Sequence, residues 1–294
     1  MTDSNSIINL GNLSKPINTL IEKISDAIGG IYKPYQIRKV AEAEAEAERI
    51  RVAMQIEVTD LQRRAMRRFI AEEAKKQNNI EAITSKALPE VNEQSEPEKV
   101  EDDWITNFFD KCRLISDEEM QHLWAKILSG EANSPGKFSK RTVDLLASVD
   151  KSDAMLFSTL CSFCFFIGEA FPLIYDTDHK IYTDHGINFS AISHLESIGL
   201  IHFNNLSGYL RRGLGQKGFV NYFGQQVWVE FAKPSDNELQ LGHVLLTKAG
   251  QQLAPICGAE HREGFVDYVR DKWRGLGYKV EQAAGQDARV TLKS

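Results

Sequence analysis

From Tyr35 to Leu88 the chain contains neither glycine nor proline. These are the residues that most often break a helix, so a very long one is allowed here. Inside the stretch lies AEAEAEAERI, Ala41 to Ile50. Its period of two is the spacing of a strand, but alanine and glutamate are strong helix formers. On a helix two residues advance by about 200°. Glu42, Glu44, Glu46 and Glu48 then form two acidic stripes on opposite sides, with thin alanine stripes between them. No broad apolar face exists, so such a helix is not the core of a monomeric globule. Thin alanine stripes do admit close helix neighbours on two sides. The expectation is one helix restarting after Pro34 and running to about Gln77, roughly 60 Å at 1.5 Å per residue.

Past Ile50 the pattern changes to a seam. Ile50, Met54, Val58, Leu61, Ala65 and Phe69 recur three and four residues apart in an otherwise polar helix. A seam on an isolated arm finds a partner helix. Ile50, Met54, Val58, Leu61 and Phe69 are therefore the expected oligomerisation contacts, and a homo-oligomer the expected state. Arg63, Arg64, Arg67 and Arg68 form a basic band. The band reads as a solvated face that answers the Glu-rich half of a neighbouring chain. A phosphate or acidic-partner site is the alternative.

Ahead of the arm, LSKPINTLIEKISDAIGG reads as one amphipathic helix from Ser14 to Gly30. Ser14 is the expected N-cap, Pro16 lies in the first turn, and Gly29-Gly30 stop it. Its apolar face is Ile17, Leu20, Ile21, Ile24 and Ile28. That face needs a cover. With only Lys15 and Lys23 as cations, packing on protein is favoured over a membrane surface. Thr84 to Asp103 holds two prolines and seven acids against two lysines, and is expected to be a tether or loosely ordered loop.

The second half opens on a helical block, WITNFFDKCRLI and then SDEEMQHLWAKILSGEANSPG, where Ser116 and Glu119 stand at capping-box spacing. The uncharged run Ala154 to Gly168 is too short to span a bilayer and reads as a central buried helix. NFSAISHLESIGLIHF then suggests a helix ending at Gly199 and a strand. QQVWVEFA alternates like a strand. LQLGHVLLTKAGQQL suggests a strand, a cap at Thr247 and a helix from Lys248. From about Leu156 to Cys257 this order resembles a winged helix.

DNA binding is not favoured for it. The reading helix FSAISHLES has no Arg or Lys, and the chain of 294 residues carries a net charge of −6, so no global basic field draws it to nucleic acid. Arg211, Arg212 and Lys217, in the insertion SGYLRRGLGQKG, are the nucleic-acid candidates. GLGQKG lacks the ending of a phosphate loop. CSFC, with Cys161 and Cys164, has no second ligand pair and reads as core thiols. Asp176, Asp178, His179, Asp184 and His185 have ligand chemistry, but a polar loop accounts for them. No catalytic constellation and no cofactor is implied, so a non-enzymatic protein is expected. Four cysteines, spaced too unevenly for a disulfide framework, and an N-terminus without a basic and apolar leader point to the cytoplasm.

Two stretches carry a family resemblance. LIEKISDAIGGIYKPYQIRKVAEAEAEA and LISDEEMQHLWAKILSGEANSPGKFSKRTVDLLASVD, with LTKAGQQLAPICG, resemble the bacterial domain-of-unknown-function family 2806. The first two also look distantly like the abortive-infection alpha family. The first likeness implies no activity and no catalytic residues; the second implies a role in bacterial defence against phage or in a mobile element.

The resulting expectation is a mainly α protein with a C-terminal winged-helix-like α+β module. An amphipathic helix and oligomerisation arm occupy 1–83, an acidic linker 84–103, a helical block 104–153, the winged-helix-like module 154–260, and a C-terminal helix and tail 261–294. Function is expected to be non-enzymatic interaction and oligomerisation, in phage defence. The alternatives are a DNA-binding regulator and a membrane-acting effector using the first helix.

Overall fold

The computed structural model describes residues 13–29 and 59–282. The AEAEAEAERI segment and the contacts expected at Ile50, Met54 and Val58 lie outside these residues. The fold is mixed α+β, in two compact units, Met1–Ala147 and Ser148–Ser294.

The first unit is helical among its described residues. Helix α1 (Lys15–Ile28) starts after Ser14 and ends at Gly29, as its sequence predicts. Leu20, Ile21 and Ile24 are buried, while Ile17 and Ile28 are half-buried at its ends. It packs on α3 (Asp102–Cys112) and on the 3-10 turn Pro97–Lys99. Lys23 fastens the seam. Its ammonium donates to the carbonyls of Glu98 and Val100 and lies 3.0 Å from the Asp102 carboxylate. The apolar face of α1 is thus covered by its own unit. No helix among the described residues is long and apolar enough to cross a membrane.

Helix α2 (Asp60–Ala87) corrects the expected arm at both ends. Thr59 is extended, so no helix runs uninterrupted through it to Gln77. Thr59 and Gln62 form a reciprocal capping box: the Thr59 hydroxyl accepts from the Gln62 N–H, and the Gln62 carbonyl oxygen accepts from the Thr59 N–H. The helix then continues to Ala87, stopping where Pro89 follows.

The stretch 84–103 is not the expected tether. It completes α2, then folds through 3-10 turns at Leu88–Glu90 and Pro97–Lys99, and buries Leu88, Val91, Pro97 and Val100. Four spaced apolar side chains outweigh the acidic composition, because the acids between them point outward.

Helices α4 (Glu118–Asn133) and α5 (Lys140–Ala147) complete the unit. Asp117, not Ser116, caps α4, its carboxylate accepting from the N–H groups of Glu119 and Met120. A carboxylate at a helix N-terminus also favours the helix dipole. Trp104, Phe108, Phe109 and Trp124 form an aromatic core with centroids 5.1–5.2 Å apart. The loop after α4 folds back on it. Buried Glu131 accepts from Gly136 N–H at 2.6 Å and Phe138 N–H at 2.8 Å, and the Phe138 carbonyl accepts from Trp104 Nε1. Burial pushes the Glu131 carboxyl above its ordinary value against those two donors.

The second unit begins with α6 (Lys151–Cys161). The expected central helix Ala154–Gly168 ends there. Cys164–Ile167 is strand β1, turning at Gly168 (φ 77°) into β2 (Glu169–Pro172). An uncharged run looks alike as a buried helix or a buried strand; here the aromatic CFFI and the tight glycine reversal select the strand. Then come α7 (Lys180–Thr183), α8 (Phe189–Ser197) and β3 (Ile201–Phe203). Strands β4 (Tyr209–Leu214), β5 (Lys217–Tyr222), β6 (Gln225–Glu230), β7 (Asn237–Gly242) and β8 (Val244–Leu246) follow. Thr247 caps α9 (Lys248–Leu253), as expected. Helix α10 (Phe265–Gly275) precedes β9 (Lys279–Gln282), a strand where only a tail was expected.

Strands order as β2-β1-β5-β6-β9 in one antiparallel sheet, with β3-β8 and β4-β7 as separate ribbons. Phe265 and Trp273 of α10 lie against Phe165 and Tyr222 of the sheet. The ribbon β4-β7 closes on Ile174 at Gly242 (φ 86°), where an added Cβ would stand 2.2 Å from the Ile174 carbonyl oxygen.

Two outcomes follow from the first unit. Ile24→Asp places a carboxylate at a site with no exposure and should cost at least about 3 kcal/mol, read as a large fall in melting temperature. Neither protein should sediment with anionic liposomes. Liposome binding by the wild type, lost in Ile24→Asp with melting unchanged, contradicts the packed helix. Glu131→Gln offers one acceptor where the carboxylate offers two and should cost about 1–3 kcal/mol in urea denaturation. An unchanged midpoint would show that the loop does not depend on those two bonds.

Candidate functional site

Helix α2 is built in two parts. Its last third is anchored: Asn79, Ile80, Ile83, Thr84 and Ala87 are buried, and α2 packs along α4. Its first sixteen residues, 60–75, are all exposed. This length projects about 24 Å at 1.5 Å per residue. Leu61, Met66, Phe69 and Ile70 are 68%, 41%, 60% and 57% exposed. At 100° per residue these four and Ala65 share one half of the helix circumference. Arg63, Arg64, Arg67 and Arg68 fall on the other half. Arg63 pairs with Asp60 at 3.3 Å and Arg68 with Glu72 at 3.4 Å, both along the helix. Three of the expected seam residues, Leu61, Ala65 and Phe69, are thus placed on an open apolar face. Met66 and Ile70, which widen it, lie off the spacing that defined the seam.

The nucleic-acid candidates are placed differently. Arg211 and Arg212 lie on β4 and Lys217 on β5. Arg211 sits over the Phe171 ring, 5.5 Å from its centroid, and 3.8 Å from Glu169. Arg212 pairs with Glu238 at 2.9 Å and Lys217 with Glu230 at 3.2 Å. Each cation has a carboxylate of its own unit beside it, so the three form no unneutralised basic patch.

The ligand-type residues of the α7 region do local structural work. His179 Nδ1 accepts from the Ile181 N–H and caps α7, and its ring lies against Tyr268. The Asp176 carboxylate accepts from the Asp178 N–H, and His185 lies against Phe163. Among the described residues no group of three or more His, Cys, Asp and Glu side chains is arranged to hold a metal ion.

The second unit also contains a cleft of about 640 Å³ between the β4-β7 ribbon and α10. Tyr175, Tyr209, Tyr268, His243 and Lys272 are among its lining. None of these was legible as a group in sequence, because they come from four separate elements or loops. The Tyr175 hydroxyl donates to the Gln240 carbonyl and accepts from Trp273 Nε1 at 2.7 Å. Burial pushes that phenol well above its ordinary value. His243 Nδ1 lies 2.9 Å from the Asn204 carbonyl. A carbonyl only accepts, so Nδ1 donates in this bond. The cleft can form hydrogen bonds and stack on a ring. Among the described residues that line it, no nucleophile is paired with a base.

One outcome separates these surfaces. The full-length protein should show no salt-sensitive binding to duplex DNA in fluorescence anisotropy, and Arg211→Ala with Arg212→Ala should change nothing. Tight binding at physiological salt that weakens with added salt and with these substitutions would reverse this reading.

Neither a search of curated proteins nor one of solved structures finds a match to the chain. A family model does match, over residues 63–270, more than half of the chain. Its description is "Protein of unknown function (DUF2806)". The match takes in the projecting helix from Arg63 onward, the helical block, the strands from β1 to β8 and the first half of α10. On this evidence the chain belongs to the DUF2806 family.

Proposed function

We propose that the protein is a non-enzymatic interaction protein that assembles with copies of itself through helix α2. The observation that carries this reading is the open apolar face of the projecting helix. Burial of one large aliphatic or aromatic side chain is worth about 1.5–3 kcal/mol, so Leu61, Met66, Phe69 and Ile70 together favour a partner strongly. A second copy is the partner that charge supports. The sequence ahead of the helix carries Glu42, Glu44, Glu46 and Glu48, and the helix itself four arginines. A second copy therefore brings acidic residues that complement the basic ones.

The ribbon β3-β8 after α8 supports a winged-helix-like reading of the second unit. The neutralised cations on β4 and β5 favour protein docking over DNA reading for that module. A defence role against phage rests on the likeness to the abortive-infection alpha family, and self-assembly is compatible with it.

Sedimentation equilibrium tests the assembly. At micromolar concentration the wild type should exceed the monomer mass. Leu61→Asp with Phe69→Asp should shift the mass toward the monomer without lowering the melting temperature, since both side chains are exposed on the described unit. High salt should weaken the assembly only partly. A monomeric wild type contradicts the proposal.

A further inference from the structure

The cleft beside α10 has a floor made by glycine. Gly208 and Gly242 both adopt left-handed backbone, at φ 65° and 86°, and both line the cleft. A Cβ on Gly208 would stand 2.7 Å from the Gly242 carbonyl oxygen, so the two backbones meet where no side chain fits. Tyr209 pairs with Gly242 across the ribbon and therefore has no side chain opposite it. Consecutive residues of a regular strand point to opposite faces. The register shifts between Tyr209 and Leu210, and this irregularity lets both border the same cleft.

Helix α10 forms the facing wall. A Cβ on Gly275 would meet nothing within 4 Å, so the wall is open there. Leu276 beside it and Leu210 across from it are each 42% exposed. The charge of this wall is uneven. Arg270 pairs with Asp267 at 3.0 Å and Arg274 with Asp271 at 3.4 Å. The Asp271 carboxylate, which also lines the cleft, is thus answered by its own helix. Among the described residues Lys272 has no carboxylate at ion-pairing distance; its ammonium lies over the Tyr268 ring, 5.8 Å from the centroid. The helix dipole at this end opposes an anion. Its last carbonyls, those of Lys272, Trp273 and Arg274, are met by the N–H groups of Leu276, Tyr278 and Gly277, which offsets it.

One molecule has to answer all of these groups. Tyr209 offers a ring face, Leu210 and Leu276 an apolar edge, Lys272 an unpaired cation, and the exposed Gln240 an amide that both donates and accepts. A lipid tail would need an apolar lining throughout, and a neutral sugar would leave the ammonium unanswered. The volume of about 640 Å³ lies within the roughly 300–1,000 Å³ of small-molecule sites. We propose that the cleft binds a nucleoside monophosphate, with its base against Tyr209 and the two leucines and its phosphate at Lys272. Base stacking on tyrosine supplies the ring contact, and the ammonium supplies a charge-assisted hydrogen bond to the phosphate.

Isothermal titration calorimetry on the full chain tests this with the 5′-monophosphates of adenosine, guanosine, cytidine and uridine, the parent nucleosides, and inorganic phosphate. At least one monophosphate should bind with a Kd below about 1 mM, at least about tenfold more tightly than its nucleoside or inorganic phosphate. Lys272→Ala should weaken that binding at least about tenfold, and Lys272→Arg should keep most of it. Tyr209→Ala should weaken it by a similar factor, while Tyr209→Phe keeps the stacking face. Gly275→Phe fills the cleft from its open wall and should abolish binding. Lys272 and Gly275 are exposed, so their variants should melt with the wild type and decide the matter even if Tyr209→Ala fails to fold. Failure of every monophosphate to bind below about 1 mM, a nucleoside or inorganic phosphate that binds as tightly, or binding untouched by Lys272→Ala or by Gly275→Phe overturns the proposal.

Discussion

Two buried amides set the geometry of the first unit. Asn79 donates from Nδ2 to the Arg113 carbonyl at 2.9 Å, and Gln121 donates from Nε2 to the Ile115 carbonyl at 3.0 Å. Both carbonyls lie in the turn between α3 and α4, where helix ends leave acceptors unmet. Lys86 of α2 then donates to the Gln121 side-chain oxygen at 3.0 Å. A buried carbonyl without a partner is costly, so these bonds fix how α2 meets α3 and α4. With Ile80, Ile83 and Ala87 packed beside them, they clamp one end of a 28-residue helix. Among the described residues the other end has no such clamp, and residues 60–75 are exposed. The exposed face on which self-assembly would act is a consequence of that one-sided anchoring.

The second unit is organised around Ser162 in a comparable way. One buried residue accepts hydrogen bonds at both its carbonyl and its hydroxyl, from the sheet and from the chain entering α10. Phe165 and Tyr222 stack at 4.9 Å just beside it, and Phe265 packs against both. The sheet and the C-terminal helix are thus held together at the turn that joins α6 to β1.

A docking surface and a phosphate-binding surface make different demands on a structure. A docking surface needs apolar area that its own unit leaves uncovered, which α2 supplies at Leu61 and Phe69. A phosphate-binding surface needs cations without carboxylates beside them, and Arg211, Arg212 and Lys217 each have one. Arg212 and Lys217 each lie within about 3 Å of a carboxylate on the neighbouring strand, so little counterion release would accompany contact with a phosphate.

Local chemistry alone determined a good part of this protein. The five-residue stripe of α1, its Pro16 start and its Gly29 stop are visible at i, i+3, i+4 spacing, as are the Thr247 cap and the helix–strand order from Asn188 to Phe203. The Thr59–Gln62 capping box was also legible, as a threonine three residues before a glutamine, but the absence of glycine and proline pointed past it. Tertiary structure decided the rest, wherever one local pattern fits two outcomes. An uncharged run serves a helix or a strand, and pairing with Phe171 and Asn221 made CFFI a strand. An acidic, proline-containing segment serves a tether or a packed turn, and contacts with α1 made 97–99 the latter. Arg211 and its neighbours look free until the strands that carry their carboxylates are placed beside them. The bond from the Glu260 N–H to the Ser162 hydroxyl, across 98 residues of chain, has no local signal at all. Spacing along the chain reports neighbours within an element; which elements meet is set by burial and hydrogen-bond satisfaction over the whole unit.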